Sequence, residues 1–287
     1  MLGINTNVAS LTAQRNLSGS GMELNNSIAR LSSGLRVNSA KDDAAGLAIA
    51  ERMTAQIRGF DVAARNANDG ISLLQVADGA MGKISDNLQR MRELAVQAKN
   101  GTLNATDRTN LNREYVELAN EVNRVTNGTT FNGNAVFSSA NKSMAFQVGT
   151  GNATTDSLTV NLTHNAAATG NDLTTVLTNG AASIQANLGA VDTVANATTA
   201  ITNLDAALDA ITGIRAVVGA GQSRMEQVVS FADISNTNLA TARGRIMDAD
   251  FAKETATMTR AQILQQAGTA MLAQANQLPN NVLSLLK

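Results

Sequence analysis

Catalysis needs groups that pass protons, attack carbon or hold metal, and this chain has few of them. His164 is its single histidine, in the Thr- and Asn-rich stretch "NLTHNAAATG" just after a predicted strand. There is no cysteine, which removes thiolate nucleophiles, thiolate metal ligands and disulfides. The triplet "DAD" at Asp248–Asp250 opens like a calcium loop, but the rest of such a loop does not follow. No nucleophile–base constellation, metal-ligand cluster or phosphate-binding glycine loop stands out. The expectation is therefore that the chain is not an enzyme, needs no cofactor and uses "DAD" as a junction between helices.

The chemistry on offer is that of surfaces. The 287 residues are 44% hydrophobic but only 2% aromatic, with no Trp, one Tyr (Tyr115) and one Pro (Pro279). Small aliphatic side chains suit close packing between helices, and a single proline leaves few obstacles to long ones. A formal charge of −1 gives no reason to expect nucleic acid or an anionic membrane as partner. The end, "LPNNVLSLLK", is apolar where soluble chains usually fray into polar residues. The start, "MLGINTNVASLTAQRN", lacks the charged and apolar regions of a secretory signal. No run approaches the roughly 18 apolar residues of a membrane span. The chain is expected to be cytosolic, or to leave the cell by a route without a cleaved signal.

Spacing predicts the elements that carry these surfaces. Ile4, Val8 and Leu11 begin a weak helix. It continues in a shifted phase through Leu17, Leu24, Ile28, Leu31 and Leu35, with Asn, Ser and Thr on its polar face. Such a helix depends on a partner. Gly34 can stop it, and Ser39 is the expected N-cap of the next, with Asp42 and Asp43 in its first turn. That second helix has a seam at Met53, Ile57, Phe60, Ala64, Ala67, Ile71 and Leu74. A three-residue slip at Ala77 precedes Met81, Ile84, Leu88, Met91, Ala95 and Ala98. This is a coiled-coil pattern with one stammer. "NGTLNATD" breaks it before an antiparallel third helix with Leu111, Tyr115, Leu118, Val122 and Val125. Asn127-Gly128 and Asn132-Gly133 favour turns. "MAFQV" and "SLTVNLT" alternate as a β-hairpin. A long helix then carries Ile201, Leu204, Leu208, Ile211, Ile214, Val218, Met225 and Val228. The last helix has Leu264, Met271, Leu278 and Leu285 in heptads, and Pro279 deprives the carbonyl of Ala275 of its donor. The predicted class is mainly α: a long antiparallel coiled-coil bundle of the N- and C-terminal halves with a small β-hairpin insert.

Several long motifs, in order, resemble those of bacterial flagellin. They are "INTNVASLTAQRNL", "LSSGLRVNSAKDDAAGLAIAERM", "NDGISLLQVADGAM", "LQRMRELAVQAKNGT", "RIMDADFAKE" and "ILQQAGTAMLAQANQLPNNVLSLLK". The resemblance spans about residues 1–149 and 195–287 and leaves room for almost no outer variable domain. It implies a terminal domain from residues 1–43 and 248–287, a helical rod from 44–140 and 191–247, and a variable insert at 141–190. Terminal domains would line the core of a motility filament, packing through Ile4, Val8, Leu11, Leu264, Met271, Leu278, Val282 and Leu285. The implied partners are further copies of the chain, the flagellar type III export apparatus, a C-terminal export chaperone, and the filament cap and hook-junction proteins. The implied location is outside the cell, in the filament.

Recognition by host receptors is also implied. Gln89, Arg90, Leu94 and Glu114 match the residues that touch the Toll-like receptor for flagellin. By spacing alone Arg90 and Leu94 flank the seam, so Leu94 reads equally as a partly covered surface residue. Val282, Leu283, Leu285 and Leu286 match the apolar end read by an inflammasome receptor. Two other functions stay open at this stage: a hook–filament junction protein with similar ends, and a cytosolic coiled-coil scaffold.

Overall fold

The computed structural model describes residues 6–137, 143–162 and 188–284, with side chains described as far as Gln277. His164 and most of the poorly patterned stretch 164–190 lie outside them. Among the described residues there are five α-helices and two antiparallel hairpins. They are α1 (Val8–Ser33), α2 (Ala44–Ala98), α3 (Ala105–Gly128), β1 (Thr130–Phe131), β2 (Asn134–Ala135), β3 (Ser143–Gln147), β4 (Ser157–Asn161), α4 (Val194–Met247) and α5 (Phe251–Ser284). The chain forms two compact units, Arg58–Asn236 and Met1–Ile57 with Thr237–Lys287.

In the first unit α2 and α4 run antiparallel. Asp61 bonds Asn236, Asp78 bonds Arg215 and Arg92 bonds Asp205, so α4 numbers fall as α2 numbers rise. The seam of α2 in this unit is Ala63, Ala67, Gly70, Leu74, Ala77, Met81, Ile84, Leu88, Met91, Ala95 and Ala98, all buried. They alternate four and three without interruption, which is the coiled-coil period. The apolar pattern puts Ile71 on this seam and needs a stammer at Ala77; the structure corrects both. Ile71 is half-buried, and Gly70 takes the place. A Cβ on Gly70 would lie 2.6 Å from Met225 Sδ and 3.1 Å from Phe146 Cδ1, so neighbours occupy the space a side chain would need. On α4 the seam is Ala197, Ala200, Leu204, Ala207, Ile211, Ile214, Val218, Gly221 and Met225. Gly221 plays the same part, its virtual Cβ 3.2 Å from Val160 and 3.3 Å from Leu74.

α3 returns alongside α2. Asn104 and Asp107 form a capping box at its start, and Arg108 donates to the carbonyl of Ala98 at 2.9 Å. Asn132 (φ 49°) and Gly133 (φ 80°) make the turn between β1 and β2, whereas Asn127-Gly128 ends α3 instead of turning. In the second hairpin Met144 faces Val160 and Phe146 faces Leu158. Leu158 and Val160 are buried and Met144 and Phe146 half-buried, all in the common core, as alternation requires.

In the second unit two linkers are tied together. Gly34 ends α1 in the left-handed region (φ 72°), its N–H bonding the carbonyl of Arg30 at 2.8 Å. Leu35 and Asp248 then form an antiparallel bridge. Arg36 N donates to Met247 O at 2.6 Å, Ala249 N to Gly34 O at 2.9 Å, and the Arg36 guanidinium to Ile246 O at 2.6 Å. The N-cap of α2 is Asp43, whose Oδ1 accepts from Gly46 N at 2.8 Å, and not Ser39. Ser39 instead gives its hydroxyl and its N–H to the carboxylate of Asp42. Asp250 accepts from the N–H groups of Ala252 and Lys253, so "DAD" is a helix junction.

Candidate functional site

Two surfaces carry the residues that the sequence singles out. The first is the α1–α5 pair, and it is built with its small residues inward. The α1 side of the seam is Ser10, Ala13, Leu17, Ser20, Leu24, Ser27 and Leu31. This again alternates three and four, but every second position is small. Ala261, Gly268 and Ala275 supply the α5 side, together with Leu272. Gly268 lets Leu17 approach, for a Cβ there would sit 3.3 Å from Leu17 Cδ1.

Polar bonds hold the pair at both ends. Ser10 Oγ donates to Asn276 Oδ1 at 2.8 Å. Arg30 bonds Glu254 at 3.1 Å near the opposite end. Asn7 does two jobs. Its Oδ1 caps α1 by accepting from Ser10 N at 3.0 Å, and its Nδ2 donates to the carbonyl of Ala275 at 2.7 Å. That carbonyl has no helical donor because residue 279 is proline, and α5 continues past it to Ser284.

Leu17, Leu24, Leu31 and Leu272 lie half-buried on this seam, but other large apolar residues of the pair face away from it. Val8 is 67% exposed, Leu11 49%, Leu264 49% and Met271 61%; Ile28, Phe251 and Ile263 are exposed as well. Four of the residues expected to pack a filament core are therefore uncovered in the single chain. The other four, Ile4, Leu278, Val282 and Leu285, lie outside the described side chains, as do Leu283 and Leu286. Among the described residues these exposed apolar side chains have no cover.

The second surface lies on α2 and α3. Gln89 is exposed, and the guanidinium of Arg90 bonds Glu93 at 2.8 Å and Glu114 at 2.9 Å. Those hydrogen bonds, the one that Arg90 donates to Glu93 first, raise the pKa of Arg90. Leu94 is different. Spacing puts it on a flank, but it is 1% exposed and belongs to the core cluster with Tyr115, Leu188 and Val191. The chain returning from the insert joins the same cluster. Tyr115 Oη donates to Leu188 O at 2.8 Å and Val191 N donates to Asn112 Oδ1 at 3.0 Å, so α3 holds residues 188–191 in place. Burial pushes the phenol pKa of Tyr115 up.

Comparison with known proteins connects both surfaces. Residues 4–142 match the family model of the bacterial flagellin N-terminal helical region, and residues 201–286 that of the C-terminal helical region. The chain belongs to the bacterial flagellin family. It is 42% identical over 289 residues to the flagellin of Halalkalibacterium halodurans, covering 99% of each chain. It is 35% identical over 377 residues to flagellin A of Vibrio cholerae, covering 100% of each. The longer alignment requires residues in the Vibrio chain that this one lacks, which makes this a short flagellin. The crystal structure of a Bacillus cereus flagellin is 34% identical, with 62% of this chain and 94% of that one covered at a TM-score of 0.48. The N-terminal match holds α1, α2 and α3, the C-terminal match holds α5, and residues 143–200 between them hold the β3–β4 hairpin.

Sequence reasoning missed Asn7, Gly70 and the three buried serines of α1. Each had a signal of a kind. A proline frees the carbonyl four residues earlier, and an Asn cap keeps a spare amide. Gly70 and Ser20 fall on the heptad if small residues are counted with the apolar ones.

Proposed function

We propose that the chain is the structural subunit of a flagellar filament used for motility, with residues 1–43 and 248–287 lining its core and the remaining helices forming its wall. The observation that carries this is the uncovered apolar stripe of α1 and α5 above a seam of serines, alanines and glycine. Neighbouring subunits supply the missing cover. Export through the flagellar type III apparatus, a chaperone on the C-terminal segment, growth beneath a cap on top of hook-junction proteins, and a final location outside the cell follow from the same reading. The test is elongation of short filament seeds by purified chain. Deleting residues 282–287 removes Val282, Leu283, Leu285 and Leu286, each worth about 1.5–3 kcal/mol when buried. The truncated chain is expected to stay helical by circular dichroism and to stop elongating. Leu285→Asp should do the same, and Leu285→Met should not. Elongation at the wild-type rate by the truncated chain would contradict the proposal. A junction protein would not elongate freely, and a cytosolic scaffold would not be found outside the cell.

A second reading concerns recognition of the free subunit. Gln89, Arg90 and Glu114 form an exposed polar patch on two helices, a fit for a Toll-like receptor. Leu94 supports that patch from below instead of offering its own side chain. The apolar end at Val282, Leu283, Leu285 and Leu286 is the corresponding candidate for an inflammasome receptor. Loss of signalling from soluble Arg90→Ala chain, with unchanged helicity, is the expected result for the first; wild-type signalling would exclude it.

A further inference from the structure

Oxidisable side chains are unevenly placed in this protein. The chain has no Cys, no Trp, one Tyr and ten Met, so methionine sulfur is its main target for two-electron oxidants. Tyr115 is buried and hydrogen-bonded. Met81, Met91 and Met225 are fully buried, while Met53, Met144, Met247 and Met258 are half-buried. Met1 lies outside the described residues. Only Met22 and Met271 are exposed among the described residues, at 62% and 61%. One stands on α1 and the other on α5, both off the seam that joins these helices. The two accessible thioethers thus sit on the uncovered faces of the terminal helices.

We infer that Met22 and Met271 are oxidation sites that control whether a free subunit can join the filament, an inference that rests on the filament reading of these faces. The reaction needs a peroxide. The sulfur lone pair attacks one peroxide oxygen, the O–O bond breaks, an S–O bond forms, and water leaves after proton transfer. Sulfur loses two electrons and the peroxide gains them. The product sulfoxide is polar and strongly accepting, where the unmodified thioether is a flexible apolar filler. Buried against a neighbour without a donor, it opposes docking. A subunit already in the filament has these faces covered and keeps its thioethers. The device therefore discriminates between incoming and assembled copies, and reductases specific for methionine sulfoxide reverse it.

The experiment uses full-length monomer and assembled filament, each treated with hydrogen peroxide. Peptide mass spectrometry follows sulfoxide at Met22 and Met271, and seeded elongation follows assembly. A Met22→Leu/Met271→Leu chain, close in volume and polarity, is the control, with circular dichroism to check folding. Peroxide should slow elongation by wild-type monomer roughly tenfold, as expected when a polar group is buried without its partner. Treatment with both classes of methionine sulfoxide reductase should restore the rate. The double variant should keep its rate in peroxide, and both sites should oxidise more slowly in filament than in monomer. Unchanged elongation by oxidised wild type, or equal loss by the double variant, would overturn the inference. So would equal oxidation rates in monomer and filament. Failure of the untreated wild-type chain to elongate seeds is distinct: it overturns the filament reading, and this inference with it.

Discussion

Gly70 sits where two helices and a hairpin close on one another, with Met225 and Phe146 filling the space a side chain would take. Gly70→Leu should therefore destabilise the folded chain by about 1–3 kcal/mol through overpacking. Met225→Ala in the same chain should recover part of that loss, since the two residues share one volume. Urea unfolding of both single variants and the pair checks it, and strict additivity would contradict the shared site. Leu94 makes the opposite point. It is fully buried, so Leu94→Ala should cost about 2–5 kcal/mol. Arg90→Ala, in the exposed ion pair with Glu93 and Glu114, should leave stability nearly unchanged. Thermal melts separate the two. A receptor-signalling loss in Leu94→Ala then has to be judged against folded protein. Spacing alone put Leu94 on a flank because helical phase reports only the partners of one seam. It carries no information about what else the fold packs against that flank.

At the scale of elements, α1 and α5 are joined by a seam too small and polar to hold them strongly. In dilute monomer both helices are expected to exchange amide hydrogens rapidly, and in filament slowly, because their larger apolar faces find cover only there. High protection of α1 and α5 in monomer would contradict this. Asn7→Ala removes the cap of α1 and the donor to Ala275 at once. It should lower filament stability by about 1–2 kcal/mol per subunit, read as a lower melting temperature. The loop before α2 should respond to acid. Bonds from the Ser39 hydroxyl, then from the N–H groups of Asn38 and Ser39, hold the Asp42 carboxyl below its ordinary pKa of 3.8. A lowered pKa means the charged form is favoured by folding. Its contribution is complete above 3.8 and disappears as the pH falls through the lowered value. Amide protection of residues 36–43 should fall in that acid window, and Asp42→Asn should remove the pH dependence there. Identical pH profiles in the two chains would rule out Asp42 as the titrating group.

For the molecule as a whole, each unit keeps one kind of surface for itself and exports another. The Arg58–Asn236 unit buries its large side chains between α2, α3, α4 and the hairpin. The unit holding the termini buries Val37 and several serines and alanines, half-buries the leucines of its seam, and leaves Val8, Leu11, Leu264 and Met271 outside. A single chain of this design is incomplete, and polymerisation is the way to complete it. High salt should leave the helices of Arg58–Asn236 folded, since its inter-helix ion pairs at Asp78–Arg215 and Arg92–Asp205 are exposed and screened. A circular dichroism titration with salt tests that; a cooperative loss of helix would show the pairs to be essential.

Helix type, order and antiparallel return were legible in the sequence. Apolar spacing repeats over many turns there, and glycine and asparagine interrupt it at the ends. Family membership was legible too, in motifs at both ends. Three things were decided only in space. The unbroken heptad of α2 runs through Gly70, whose place on the seam is defined by the neighbours that fill its missing side chain. Leu94 proved to be core, in one cluster with Tyr115, Leu188 and Val191, although it lies beside the seam that spacing reveals. The inward face of α1 proved to interleave serines with Leu17, Leu24 and Leu31, since the partner helix meets it with small residues and polar bonds as well as Leu272. Periodicity measures which side chains share a face; which face is covered depends on what the rest of the chain brings to it.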